Sequence, residues 1–200
     1  MDKTVRYTAI AAIVIGVLGV GYLFYTSSLG ISMARAQTIS ENYLDSVGAS
    51  DLEIDEIMEF EYNYYVVYSE ESTGIGAMEM LIDKTTGRIF PEYGPNMMWN
   101  LKYGHGGMMT GSGSMMGGYY SEGYSDVPIG SDETIEMAQK FLDISYPGAE
   151  ADDPHPFYGY YTLHTMMDGE IFGMLSVNAF TGQVWYHNWH GEYINSIESH

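Results

Sequence analysis

The chain has 200 residues, of which 46% are hydrophobic, and this allows one moderate domain or two small ones. Its 27 acidic and 7 basic residues give a formal net charge of -20, which excludes nucleic acid as a partner because phosphate binding needs a basic patch. The chain has no cysteine, so any site for a soft metal must use methionine and histidine.

The N-terminal segment predicts a membrane anchor. Lys3 and Arg6 precede an uncharged run from Tyr7 to Tyr25, whose length at about 1.5 Å per residue approaches the roughly 30 Å of a bilayer core. The basic flank should stay cytoplasmic. We therefore expect residues 1–30 to form a cytoplasmic stub and a transmembrane helix, with the rest of the chain extracytoplasmic in a single-pass membrane protein. The membrane is then a partner, and cleavage of the anchor stays open.

Residues 31–100 predict a first α+β unit. Ile39, Tyr43 and Leu44 fall at helical spacing, and Gly48 is a plausible helix stop. The segment 57–70 then alternates as a strand does, with Tyr64, Val66 and Tyr68 on one face and Tyr65 and Val67 on the other.

Residues 131–195 predict a second unit with the same order of elements. Ser131 is a good N-cap, and Ile135, Phe141 and Leu142 form the apolar stripe of the helix that follows. The strands after this helix contain several tyrosines, as in the first unit.

Two turns mark corresponding positions in the units. Asp83-x-x-Thr86-Gly87 matches Asn178-x-x-Thr181-Gly182, and each turn lies between hydrophobic strands. A duplication is the simplest account. The predicted fold class is therefore α+β: an N-terminal transmembrane helix and two units, each a helix packed on a small antiparallel sheet. Residues 101–130 would be a linker and residues 196–200 a tail.

In each unit an amphipathic helix is followed by a tyrosine-rich strand and then by a strand–turn–strand, which reads MLIDKTTGRIF in the first unit and LSVNAFTGQVW in the second. This order resembles the PepSY domain family, including PepSY-like domains in tandem behind one membrane helix. The resemblance covers roughly residues 36–100 and 131–193, and Asn178 stands where the pattern has Asp. It implies a small binding or inhibitory module outside the membrane. PepSY domains occur in propeptides of thermolysin-type proteases, and the family has no shared catalytic residues.

A methionine-rich run from Asn96 to Tyr120 suggests a metal loop. Glycine weakens helices and strands, so burial explains these methionines poorly. Thioether sulfur selects Cu(I) over hard ions. The predicted ligands of Cu(I) or Ag(I) are Met97, Met98, His105, Met108, Met109, Met115 and Met116. A flexible linker with surface methionines is the competing interpretation, and sacrificial oxidation of methionine is a third.

His187 and His190 are weaker candidate metal ligands. Their spacing brings two imidazoles together on a helix or turn but sends them to opposite faces of a strand. A surface or interface histidine pair is the alternative. Glu192 and His155 could complete a site only through folding, and His164 is expected to be structural.

These patterns predict a membrane-anchored extracytoplasmic PepSY-like protein that binds Cu(I) or Ag(I) for buffering or delivery. The alternatives are an interaction or inhibitory module that binds a peptide or membrane partner, and a self-associating structural subunit of a surface assembly, neither with a metal role. No enzyme motif is found: H-E-x-x-H, G-x-S-x-G and the phosphate loop are absent from the sequence. We therefore expect no catalytic residues.

Overall fold

The computed structural model of the protein describes residues 30–104 and 127–198. The elements in chain order are α1 (Met33–Val47), β1 (Leu52–Phe60), β2 (Asn63–Glu70), β3 (Gly76–Asp83), β4 (Ile89–Pro91), α2 (Pro95–Met98), α3 (Ser131–Ser145), β5 (Ala149–Phe157), β6 (Tyr160–Met167), β7 (Glu170–Asn178), β8 (Val184–Tyr186) and β9 (Tyr193–Glu198).

The two long helices begin and end close to where the sequence predicts. Helix α1 ends at Gly48, whose φ of 63° is left-handed and whose N–H donates to Leu44 O, so the predicted stop is confirmed. Helix α3 has Gly130, not Ser131, as its N-cap residue. The Gly130 N–H donates to the Glu133 side chain at 3.3 Å, which fixes this end of the helix.

The strands form one nine-stranded sheet. Its order is β8-β7-β6-β5-β3-β2-β1-β9, and β4 pairs with β3 off this path. Neighbouring strands are antiparallel except β3 and β5, which meet in parallel where Gly76 lies opposite Phe157. The last strand, β9, returns from the second half of the chain and pairs with β1.

The prediction of two separate units, each with its own small antiparallel sheet, is therefore wrong. Two contacts merge the halves. Gly76 lets β3 approach β5, because a Cβ there would lie 2.5 Å from the Phe157 ring. The residues predicted as a tail belong in part to β9, where Ile197 lies opposite Ile57 of β1.

The sheet buries residues on both faces. Tyr64, Val66 and Tyr68 face the cluster beneath α1, and Tyr65 and Val67 face away from it, which confirms the two predicted strand faces. A separate cluster lies beneath α3. The faces turned away from the helices meet in a central core, which consists of Met58, Phe60, Tyr65, Val67, Leu81, Phe157, Tyr160 and Met174.

The predicted membrane anchor from Tyr7 to Tyr25 lies outside the described residues. Within residues 30–104 and 127–198, no helix has both the length and the apolar character needed to cross a membrane. The predictions of a transmembrane helix and of a single-pass location in the membrane are corrected accordingly, because the structure supports neither.

The close approach at Gly76 gives the first testable prediction. We expect Gly76→Ala to lower the free energy of unfolding by about 1–3 kcal/mol, because the added methyl group overpacks the junction of β3 and β5. Urea denaturation measures the change. Gly130→Ala is the matched control. Nothing lies within 4 Å of a Cβ added at this position, so the substitution weakens only the helix cap. Equal losses in the two variants would contradict the tight junction.

Candidate metal centre

Glu92, His187 and His190 form a buried cluster where the two halves of the chain meet. Their relative exposures are 0%, 3% and 1%. The Glu92 carboxylate oxygen Oε1 lies 3.2 Å from His187 Nδ1 and 3.0 Å from His190 Nε2. Within the described ranges, this is the one group of three such side chains whose ligand atoms all lie within 4.8 Å of one another.

Equivalent backbone bonds place two of these side chains in the central core. Glu92 follows β4, and its N–H donates to Glu79 O on β3 at 2.9 Å. His187 follows β8, and its N–H donates to Met174 O on β7 at 3.0 Å. Each short edge strand thus delivers the residue just after it to the same layer, one from each half.

The third side chain comes from a turn that is anchored to the first half. His190 O accepts a hydrogen bond from Tyr62 N–H at 3.1 Å, and Glu192 O accepts one from Glu61 N–H at 2.8 Å. Gly191 between them has a φ of 80° and lies so close to Glu61 that a Cβ would come within 2.7 Å. The histidine spacing therefore falls on a turn, which brings the two imidazoles together. Glu192 contributes a backbone bond and not a ligand.

A chain of hydrogen bonds fixes the tautomer of His187. When Glu79 is ionised, Thr162 Oγ1 donates its one proton to Glu79 Oε1 at 2.7 Å, so it accepts from Ser176 Oγ, which lies at 2.9 Å. Ser176 Oγ must then accept from His187 Nε2 at 2.9 Å. With its proton on Nε2, a neutral His187 ring directs the lone pair of Nδ1 toward Glu92. Burial lowers the pKa of His187, but the Glu92 carboxylate outweighs burial and raises that pKa above its ordinary value.

His190 is oriented in the same sense. Its Nδ1 donates to Asn63 Oδ1 at 2.9 Å, which leaves the lone pair on Nε2. Burial lowers the pKa of His190 below its ordinary value, and the neighbouring His187 charge acts in the same direction. The neutral ring is therefore the favoured form, although Glu92 opposes this shift.

When both rings are neutral, three acceptors converge with no proton aligned between them. His187 Nδ1, His190 Nε2 and Glu92 Oε2 are buried and have no hydrogen-bond partner among the described residues. Trp189 Nε1 donates to Glu92 Oε1 at 3.2 Å and so orients the carboxylate. A bound cation would satisfy the lone pairs at once, and both rings already donate their other nitrogen as metal-bound histidines do.

A second buried carboxylate adds negative charge to this layer. Glu79 is fully buried and accepts hydrogen bonds from Tyr65, from Thr162 and, at 2.7 Å, from Tyr160. Burial, with repulsion from Glu92, raises the pKa of Glu79 to about 7. Burial would also raise the pKa of Glu92, but His187 and His190 together lower it to about 2.

Two of the ligands predicted in the methionine-rich run lie within the described residues. Met97 and Met98 lie in α2, and Met98 is 58% exposed. The other predicted ligands, His105, Met108, Met109, Met115 and Met116, lie outside the described residues.

The sequence offered His187 and His190 as weaker candidate ligands, and it did not point to Glu92. The available signal was positional, because Glu92 follows the strand after the Asp83 turn just as His187 follows the strand after the Asn178 turn. His155 does not complete the centre. It lines a separate cavity together with His164.

Comparisons with known proteins give little further information. No family model matches the chain, and no curated protein matches it. The chain is similar to the Bacillus megaterium YpeB C-terminal domain, a PepSY-related structure, with a TM-score of 0.28 and 11% identity. The match covers 80% of this chain and 63% of that chain. A likeness this weak carries no argument about function.

The buried carboxylates predict an unusual dependence of stability on pH. Because the pKa of Glu79 is about 7 in the folded chain and ordinarily 4.5, the folded chain keeps a proton that the unfolded chain releases between these values. The contribution of Glu79 to the free energy of unfolding therefore falls as pH rises from 4.5 to 7.

We expect the stability of the parent relative to Glu79→Gln, which cannot titrate, to fall across this window by up to about 1.4 kcal/mol per pH unit. Denaturation with a chelator present, at several pH values, measures it. Parallel pH profiles for the two proteins would show that Glu79 has an ordinary pKa.

Proposed function

We propose that the protein binds a divalent transition-metal ion, with Zn²⁺ as the chief candidate, at Glu92, His187 and His190. Two imidazoles and one carboxylate are a common ligand set for Zn²⁺. The single observation that carries the proposal is the convergence of two histidine lone pairs on a buried carboxylate oxygen, at 3.2 Å and 3.0 Å.

A proton-only account of the cluster is less favourable. A proton can fill the His187 contact, because Glu92 raises the pKa of that ring against the effect of burial, but filling the His190 contact as well would place two cationic rings side by side. The ring centroids of His187 and His190 are only 5.8 Å apart, and burial lowers the pKa of His190. One divalent ion supplies the same charge without placing two imidazolium groups in contact.

The burial of the ligands argues against direct access of a substrate to the ion, although three protein ligands would leave a fourth position for another ligand. Catalytic metal sites keep an open position that substrate can reach, whereas these three side chains are at most 3% exposed. Glu92 comes from the first half of the chain and the histidines from the second. Metal binding would therefore tie the halves together and stabilise the merged sheet.

A metal titration tests the proposal. After removal of bound metal with a chelator, Zn²⁺ should stabilise the parent protein by about 2.7 kcal/mol at a free concentration 100 times the dissociation constant. Glu92→Gln should lose this gain and still fold, because an amide can donate to the ring nitrogens. His187→Gln should behave in the same way.

His164→Gln is the matched control, since His164 is a histidine of the second half that lies outside the centre. Its response to Zn²⁺ should equal that of the parent. If Zn²⁺ stabilises Glu92→Gln as strongly as the parent, or fails to stabilise the parent, the proposed centre is wrong.

Binding of Cu(I) or Ag(I) by the methionine-rich run is a second proposal. The exposure of Met98, at 58%, favours it because this thioether is accessible and contributes little to the core. Replacing Met97, Met98, Met108, Met109, Met115 and Met116 by Leu should weaken Cu(I) binding in a competition titration and leave the Zn²⁺ response intact. Equal Cu(I) affinity in both proteins would favour the interaction-module alternative.

A further inference from the structure

A cavity of about 240 Å³ lies beside the central core, and none of the three proposed metal ligands lines it. This acidic cavity is lined by carboxylates and by two histidines, among them Asp55, Glu56, Asp153, His155 and His164. Its volume is several times the share of one water molecule in the liquid, about 30 Å³.

Two strand irregularities build the acidic side of the cavity. The pairing of β1 with β2 shifts register between Ile54 and Glu56, and the pairing of β5 with β6 shifts between Asp152 and His155. Asp153, in the second irregularity, has a φ of 49°. Such bulges redirect side chains, and here both irregularities lie at carboxylates that line the same space.

Glu56 is the buried charge of this cavity. It is 8% exposed, its Oε2 lies 3.3 Å from His164 Nε2, and its Oε1 is buried with no hydrogen-bond partner among the described residues. A buried carboxylate oxygen without a donor is costly, so the site lacks a cationic or hydrogen-bonding group.

The remaining polar groups leave the cavity negative. Asp55 lies 3.4 Å from His155 Nδ1, and Asp153 lies 3.9 Å from His164 Nδ1. Burial lowers the pKa of His155, which keeps that ring neutral. Three carboxylates, Asp55, Glu56 and Asp153, therefore face at most one cationic imidazole.

The apolar wall of the cavity and the spacing of its polar atoms favour an organic cation over a metal ion. Val67, Phe157 and Met174 belong to the central core and give the cavity an apolar wall. The carboxylates and histidines here do not gather three ligand atoms around one point, in contrast to the metal centre described above. An alkyl chain can lie on the apolar wall while an ammonium group reaches Glu56.

We propose that the acidic cavity binds a primary alkylammonium group, carried either by a free diamine or by a lysine side chain of a peptide. The ammonium group donates to Glu56 Oε1 and is surrounded by the carboxylates of both irregular strands. The methylene stem packs against Val67 and Met174.

The test is a titration with 1,5-diaminopentane, Nα-acetyl-lysine amide and pentan-1-ol, followed by NMR through the imidazole resonances of His155 and His164. A chelator is present, so that the result does not depend on the metal centre. Both amines should shift these resonances at saturable concentrations, and the neutral alcohol should not. The amine with the lower dissociation constant shows whether the cavity prefers a free diamine or a lysine side chain.

Glu56→Gln should weaken amine binding about tenfold or more, because a charge-assisted hydrogen bond is lost. Asp153→Asn, at a side chain 75% exposed, should fold normally and weaken binding by up to about fivefold. Glu53→Gln is the matched control: it removes the same charge from an exposed position of β1 and should change nothing.

The proposal is overturned if neither amine shifts the histidine resonances, or if pentan-1-ol shifts them equally. It also fails if Glu56→Gln and Asp153→Asn bind the amines as tightly as Glu53→Gln does.

Discussion

A carboxylate buried between the two halves of the chain is the constraint on which the rest of the structure depends. Glu92 is 0% exposed, and a charge in such a place is tolerated only when partners surround it. Those partners, His187 and His190, come from the other half. The C-terminal turn must therefore dock on the first half, and the pairing of β9 with β1 holds it there.

The central core is unusual because a polar network runs through it. Tyr65 from the first half and Tyr160 from the second both donate to Glu79, and Thr162 and Ser176 carry the chain of hydrogen bonds on to His187. Networks of this kind cost free energy when they are only partly satisfied. Polar contacts as well as apolar packing therefore set the register of the two halves. Because the chain of hydrogen bonds ends at His187, the same contacts also position a proposed metal ligand.

The same layer contains two sites of different chemistry. Tyr65 and Thr162 contact Glu79 on one side and line the acidic cavity on the other. At the metal centre, nitrogen lone pairs and a carboxylate oxygen converge on one point. In the cavity, carboxylates surround a volume with an apolar wall. The first arrangement fits a single metal ion, whereas the second fits an organic cation.

The sequence by itself determined the local structure. Helical spacing located α1 and α3, Gly48 marked a helix end because it can adopt a left-handed φ, and strand alternation assigned Tyr64 and Tyr65 to opposite faces. It also singled out His187 and His190 through their spacing. These features depend on periodicity and on single-residue conformation, which neighbouring residues reveal.

Only the tertiary structure decided how the halves combine. The merging of β3 with β5 depends on one missing side chain at Gly76, and the return of β9 to β1 joins residues about 140 positions apart, a separation that no local pattern encodes. For the same reason the contact of Glu92 with the histidines could not be read from the sequence, which offered only the parallel positions of Glu92 and His187 after the two turns. The place of Glu92 beside the histidines arises from long-range pairing that brings the ends of β4 and β8 into one buried layer.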